Sequence, residues 1–316
     1  MTKTAPTPRI LIALALIIGL TGAVFAWPVV AADSNTLGYQ ISPPVTTLAL
    51  DPGTSSRQII KVTNLTDKQL TLQLDKRNFV AKGEEGEVEL VDNADPRYSL
   101  APYFTLSQPT VTVPPRGTSQ VQYVLSVPMD AEPGGRYGSV TFNTIANKLP
   151  SGQSGASVRQ ELAALIFLRI NGDANEQLKI ASFTVEKDFA EYGPVTFGTR
   201  IQNLGNVHEK PTGNIVVKNM FGFTTAKVSL EEKNVIPGAI RKVDTKLNKK
   251  YLFGYYNATL TLQNGTIQTL TAKTSFTVIP YKLLGIILVI LVIVIVILTK
   301  GRKRLARAGR ILAGRE

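Results

Sequence analysis

Between Leu37 and Ile279, apolar and polar residues alternate in short runs. Examples are "QLTLQL" (Leu70, Leu72, Leu74), "SQVQYVLSVP" (Val121, Tyr123, Leu125, Val127) and "NATLTLQN" (Leu260, Leu262). A period of two puts every second side chain on one face, so each run predicts a strand with one buried side. The runs are separated by "ISPPV", "LDPGTSS", "VPPRGTS", "EPGG", "IPGA" and "QNGT", clusters of residues that turn the chain. No long stretch of this region has a helical period. Many short strands with such punctuation predict β-sandwiches.

Two stretches depart from alternation. "QELAALIFLRI", Gln160–Ile170, is apolar almost throughout and follows the polar "IANKLPSGQSGASVRQ". A hairpin accounts for both: a strand over Tyr137–Ile145, a tip around Ser151–Ser157 and a return to Ile170. The division between two domains then falls at "NGDANEQ", Asn171–Gln177.

The body also repeats itself. An asparagine follows a strand at Asn64 ("NLTD") and at Asn203 ("NLGN", with Gly205). A proline turn precedes a strand at Pro115 and Pro237. A Gly-x-Tyr triplet enters a strand at Gly135–Tyr137 and at Gly254–Tyr256. Asparagine and glycine tolerate left-handed backbone and suit reversals. Tyr137 and Tyr256 suit the tyrosine corner of immunoglobulin-like sandwiches, ring inside and hydroxyl on a loop carbonyl. The stretch "EPGGRYGSV" precedes a strand rather than a helix, so it lacks the N-terminal amides of a phosphate loop. Its counterpart "FGYYNATL" keeps the glycine and tyrosine but not the arginine, which makes Arg136 the candidate ligand contact.

The two ends carry long apolar runs. Lys3 and Arg9 precede Ile10–Ala26, and small residues follow, the layout of a secretory signal peptide over 1–32. Cleavage fits after Ala32 or Ala26, and an uncleaved anchor has the same composition. "LLGIILVILVIVIVIL", Leu283–Leu298, is uncharged and apolar on every face, so 280–299 predicts a transmembrane helix. Tyr281 and Lys282 flank its outer end, and Lys300, Arg302, Lys303 and Arg304 flank the other. Positive charge marks the cytoplasmic side, so residues 300–316 read as a basic cytoplasmic tail and the body as extracellular.

Charge and composition narrow the function. The formal net charge is +12, but the tail carries +6 and Lys3 and Arg9 two more. The remaining +4 gives no reason to expect a nucleic-acid partner. With no cysteine and the single histidine His208 in a turn, thiol chemistry is excluded and zinc-like spacing is absent. Glu84, Glu85, Glu87, Asp92 and Asp95 cluster in an insertion that reads as a solvated loop. A paired-carboxylate glycosidase or a calcium site is the alternative there. No cofactor is expected, and the chain is not expected to be an enzyme. The Glu84–Asp95 insertion and the Ser151–Ser157 tip are candidate binding surfaces. An envelope hydrolase and an accessory subunit of a membrane complex are the competing functions; the Val/Ile-rich span lacks a small-residue face to support the second.

"YQISPPVTTLALDPGTSSRQIIKVTNLTDKQLTLQL", "VPPRGTSQVQYVLSVPMDAEPGGRYGSVTF" and "RIQNLGNVHEKPTGNIVV" together resemble the WxL-interacting protein family of Gram-positive cell surfaces. That resemblance implies two immunoglobulin-like domains, 33–171 of the peptidoglycan-binding type and 172–279 meeting other surface proteins. The expectation is therefore an all-β chain: two immunoglobulin-like β-sandwich domains in tandem, followed by one C-terminal transmembrane α-helix. Its expected role is non-catalytic binding of peptidoglycan or envelope proteins at the cell membrane.

Overall fold

The computed structural model describes residues 38–145, 160–264 and 268–312. The expected signal peptide and the hairpin tip at 151–157 lie outside these residues. Two β-sandwiches follow one another along the chain, and a C-terminal helix follows them.

In the first sandwich, one sheet has the order β1 (Tyr39–Ser42), β3 (Ser55–Asn64), β8 (Thr118–Ser126), β6 (Phe104–Leu106). The facing sheet runs β2 (Val45–Leu50), β10 (Glu161–Ile170), β9 (Gly134–Thr144), β4 (Leu70–Lys82), β5 (Glu87–Val91), with β7 (Thr110–Val113) also on β4. Strands β9 and β10 pair antiparallel from Gly134↔Ile170 to Asn143↔Glu161, as the hairpin reading expects. The alternating residues interdigitate between the sheets: Val62, Leu72, Val121, Leu125, Phe142 and Ile166 are all buried. Burying such a side chain contributes about 1.5–3 kcal/mol.

The second sandwich sets β11 (Leu178–Val185), β13 (Val195–Asn203) and β16 (Ile240–Leu247) against a second sheet. Its order is β12 (Phe189–Ala190), β18 (Gln268–Val278), β17 (Gly254–Asn264), β14 (Thr212–Asn219), β15 (Thr224–Ser229). Phe183, Phe197, Ile215, Leu260 and Phe276 fill its core. In both sandwiches the first strand changes sheets. β1 pairs antiparallel with β3, then β2 runs parallel to β10; β11 pairs antiparallel with β13, then β12 runs parallel to β18.

The internal repeat is visible in single hydrogen bonds. Asn64 Nδ2 donates to the carbonyls of Lys68 (2.7 Å) and Pro114 (3.1 Å), while its Oδ1 accepts the Thr66 amide. Asn203 Nδ2 donates to Val207 (2.7 Å) and Val235 (2.8 Å), and its Oδ1 accepts the Gly205 amide. Each buried asparagine ties the loop after its strand to the proline turn that opens a neighbouring strand. Arg116 and Gly238 occupy the same left-handed place in those turns, at φ 53° and 76°.

The helix α1 spans Tyr281–Leu312, and its segment Tyr281–Lys300 has a mean hydropathy of 3.2 with none of it buried. It is long and apolar enough to cross a membrane.

Candidate functional site

The residues that build the most distinctive surface sit where the two sandwiches meet. Phe79, Tyr137 and Phe167 are buried together on the outer face of the β4–β9–β10 sheet, and Ile236 of the second sandwich packs against them. Strand β9 is buried on both faces along almost its whole length, and β10 along much of its own. That explains the unbroken apolar run in β10: Ile166 and Leu168 enter the core, while Leu165 and Phe167 face the junction. A strand covered on both sides has no reason to alternate.

The "NLGNVHE" loop of the second sandwich closes this junction. The Asn206 carbonyl accepts the Gly135 amide at 2.8 Å, and Asn206 Nδ2 reaches the Pro133 carbonyl at 3.3 Å. A side chain on Gly134, at φ 138°, would stand 3.0 Å from that Asn206 carbonyl, and one on Gly135 would collide with the Tyr137 hydroxyl. The glycines of "EPGGRYGSV" thus permit close approach of the second sandwich. His208 is half-buried rather than solvated; its ring meets Tyr137 and Phe167 edge-on, with centroids at 5.7 and 5.3 Å.

A charged cluster borders these rings. Arg169 of β10 pairs with Glu176 of the connecting segment. Glu209 is buried, its Oε1 has no partner among the described residues, and the Asn264 amide lies beside it. Burial, reinforced by Glu176, pushes its carboxyl up to about 7. Burial, reinforced by Arg169, lowers the His208 imidazole to about 4. Burial also raises the Tyr137 hydroxyl, which faces the His208 backbone without closing a bond of good geometry.

The tip between β4 and β5 forms a second tie. Glu84 binds Arg200 through both carboxylate oxygens, at 2.7 Å to Nε, and the Glu84 carbonyl accepts the Lys242 amide at 2.8 Å. Arg200 holds the Glu84 carboxyl below its ordinary range. Glu85 meets Lys242 at 3.4 Å, Asp92 meets Arg77 at 3.0 Å and Asp95 meets Arg97 at 2.7 Å. The insertion expected as a solvated loop is therefore laced with ion pairs, and its tip is docked on the second sandwich.

Between these ties lies a crevice of about 210 Å³ with an apolar floor of Val88, Leu165, Phe167 and Ile236 and Arg241 in its wall. An adjoining cleft continues along β2 past Val45, Thr47, Ala49 and Lys210. Val45, 46% exposed, belongs to both. Among the described residues β2 is an edge strand, so its outer backbone groups are unpaired by the sheet.

The expected site residues distribute unevenly around this junction. Gly135 and Tyr137 are in it; Asn203 and Gly205 support its loop. Arg136 is only 6% exposed, with Nη1 on the Gly135 carbonyl and Nη2 on that of Glu132, so its guanidinium braces its own turn. The Tyr256 hydroxyl donates to the Phe253 carbonyl and accepts the Phe253 amide. Tyr137 points to the face opposite Val140 and Phe142, away from its own core and into the junction. Gly254, Tyr256, Tyr281 and Lys282 lie at the far end of the second sandwich. Lys300, Arg302, Lys303 and Arg304 lie on α1, away from the junction. Val45, Leu165, Phe167, Glu209 and Arg241 were not singled out by the sequence, although the failure of alternation in β10 marks a second covered face.

No protein-family model matches the chain, and no curated protein matches it. Solved structures similar to it include a chaperone–tip adhesin complex of CFA/I fimbriae, at 15% identity over 75% of this chain and 99% of that one, with a TM-score of 0.39. The class 5 fimbriae chaperone CfaA is similar at 16% identity over 75% and 98%, TM-score 0.39. The CupB2 chaperone of Pseudomonas aeruginosa is similar at 10% over 73% and 97%, TM-score 0.33. The resemblance to WxL-interacting proteins is thereby corrected: these similar structures are of fimbrial chaperones, and no family model supports the former. The residues that carried that resemblance make turns and clamp loops, as Asn64 and Asn203 do, and such work is common to unrelated sandwiches. The expectation of peptidoglycan binding rested on that resemblance and loses its support with it.

Proposed function

We propose that the chain is a membrane-tethered, non-catalytic binding protein that receives an extended segment of another envelope protein in the crevice between its sandwiches. Residues 33–171 and 172–279 are the two modules, held outside the cytoplasm by α1, with 300–316 inside. The observation that carries this reading is the crevice itself: an apolar floor, a basic wall and the free edge of β2 run side by side. An extended peptide can add to a free strand edge while its side chains enter apolar pockets, and this needs no reactive group.

The test is site-specific photocrosslinking from position 45 of the full chain in its own membrane. A discrete adduct with an envelope protein is expected from position 45 and not from the exposed Met129. The adduct is expected to disappear when Ala49→Glu charges the same edge. Equal adducts from both positions, insensitivity to Ala49→Glu, or retention of the protein by insoluble peptidoglycan in place of a protein adduct would each refute the proposal.

A further inference from the structure

The end of the second sandwich farthest from the junction carries a cluster of solvent-facing rings. Phe221 and Phe223 are 74% and 71% exposed, Tyr251 and Phe253 78% and 67%, and Met220 and Tyr255 stand beside them. Met220, Phe221 and Phe223 come from the loop 220–223 between β14 and β15, Tyr251 and Phe253 from 248–253 before β17, and Tyr255 from the start of β17. Asn219 pairs with Tyr256, and Gly254 pairs with Val278, so both loops lie at the end where β18 leaves the sheet. Only Ile279 and Pro280 separate Val278 from the first residue of α1. At no more than ~3.6 Å per residue, the start of α1 lies within roughly 11 Å of Val278.

These loops are built to hold the rings outward. The Asn219 Oδ1 accepts the amides of Phe221 (3.1 Å) and Phe223 (3.0 Å), and Gly222 turns the chain at φ 85°. The Tyr256 hydroxyl fixes Phe253 through both its backbone groups. Lys249 Nζ donates to the Thr225 carbonyl and ties its loop to β15, next to the other loop. The helix start is joined to the same end: the Phe189 and Tyr281 rings stack at 6.1 Å, and Lys282 meets Glu191 at 3.0 Å. Lys249 and Lys250 flank the rings, with Lys250 Nζ 5.6 Å from the centre of Tyr251. Glu186 and Asp188 also stand at this end, so attraction to an anionic surface falls to the lysines beside the rings.

We propose that this end is a lipid-docking surface: the rings of both loops enter the headgroup–acyl boundary of the bilayer that α1 crosses, and Lys249 and Lys250 meet anionic headgroups. Phenylalanine rings suit the apolar side of that boundary, tyrosines, apolar at one end and wet at the other, suit its headgroup level, and nearby cations suit anionic lipids. The proposal rests on α1 being a span. Docking would fix the tilt of the second sandwich against the membrane.

The test uses the full chain with its single tryptophan removed (Trp27→Phe), reconstituted into phosphatidylcholine–phosphatidylglycerol vesicles containing brominated acyl chains. Single reporters are Phe221→Trp, Tyr251→Trp and Phe253→Trp at the proposed surface, Met129→Trp on the first sandwich and Leu291→Trp within α1. The three surface reporters are expected to emit at shorter wavelength and to lose about half their intensity with bromines near the headgroups. Met129→Trp should be unaffected, and Leu291→Trp should be quenched most by bromines near the chain ends. If the surface reporters match Met129→Trp, or shift in wavelength without quenching as a protein contact would cause, lipid docking is refuted. If Leu291→Trp escapes deep quenching, the span itself is refuted and docking falls with it.

Discussion

Asn64 and Asn203 each satisfy two or more loop carbonyls from a buried position. Replacing either with alanine leaves those acceptors buried and unpaired, a loss of about 2–3 kcal/mol. Asn64→Ala and Asn203→Ala should each lower the denaturant midpoint while leaving far-ultraviolet circular dichroism unchanged at rest. The junction offers a pair of opposed titrations. Glu209 is held protonated up to about 7, above its unfolded value, so its contribution to stability is lost as pH rises through roughly 4.5 to 7. His208 is held neutral down to about 4, so its contribution is lost as pH falls from roughly 6.5 to 4. The two slopes oppose each other over most of that window. Denaturation across pH should therefore show a stability that rises with pH in Glu209→Gln and falls with pH in His208→Phe, with the parent flatter than either. Parallel slopes in all three proteins would contradict this balance.

At the scale of elements, the β4–β5 tip is the most exposed tie between the sandwiches. Gly86 has φ 92°, where a side chain is strained, and a Cβ there would push the Arg241 guanidinium aside, so Gly86→Ala should loosen the tip from the second sandwich. Hydrogen exchange is expected to accelerate at Glu84–Glu87 and in the 171–177 segment, with the sandwich cores unchanged. The Glu84 and Arg200 side chains are 34% and 41% exposed, so solvent screens the pair and a double-mutant cycle should show only weak coupling. Most elements were legible in the alternation itself, because a half-buried strand records its buried face every second residue. The β9–β10 hairpin and the asparagine-to-proline repeat were legible for the same local reason. The docking of the insertion was not, since nothing within "KGEEGE" encodes that Arg200 and Lys242, more than a hundred residues later, will face it. Nor did local pattern reveal that Tyr137 turns away from its core while Tyr256 turns inward. Their triplets match, but only β9 is covered on both faces.

Across the whole molecule, the ties at Asn206, at Glu84 and through the Phe79–Tyr137–Phe167 cluster join the two sandwiches around one crevice, and α1 leaves the opposite end of the second. The proposed binding would take place in that crevice. The absence of cysteine allows a clean measurement of whether the crevice is occupied where the protein works. Val45→Cys and Met129→Cys would each be labelled with a membrane-impermeant maleimide, in intact cells and in the purified full chain. Met129→Cys should label at the same rate in both. Val45→Cys should label at least about fivefold more slowly in cells, because a bound segment of another envelope protein shields it. Equal rates for Val45→Cys in cells and in purified protein would contradict the claim that this crevice is the binding site, and failure of Met129→Cys to label in cells would contradict an external body.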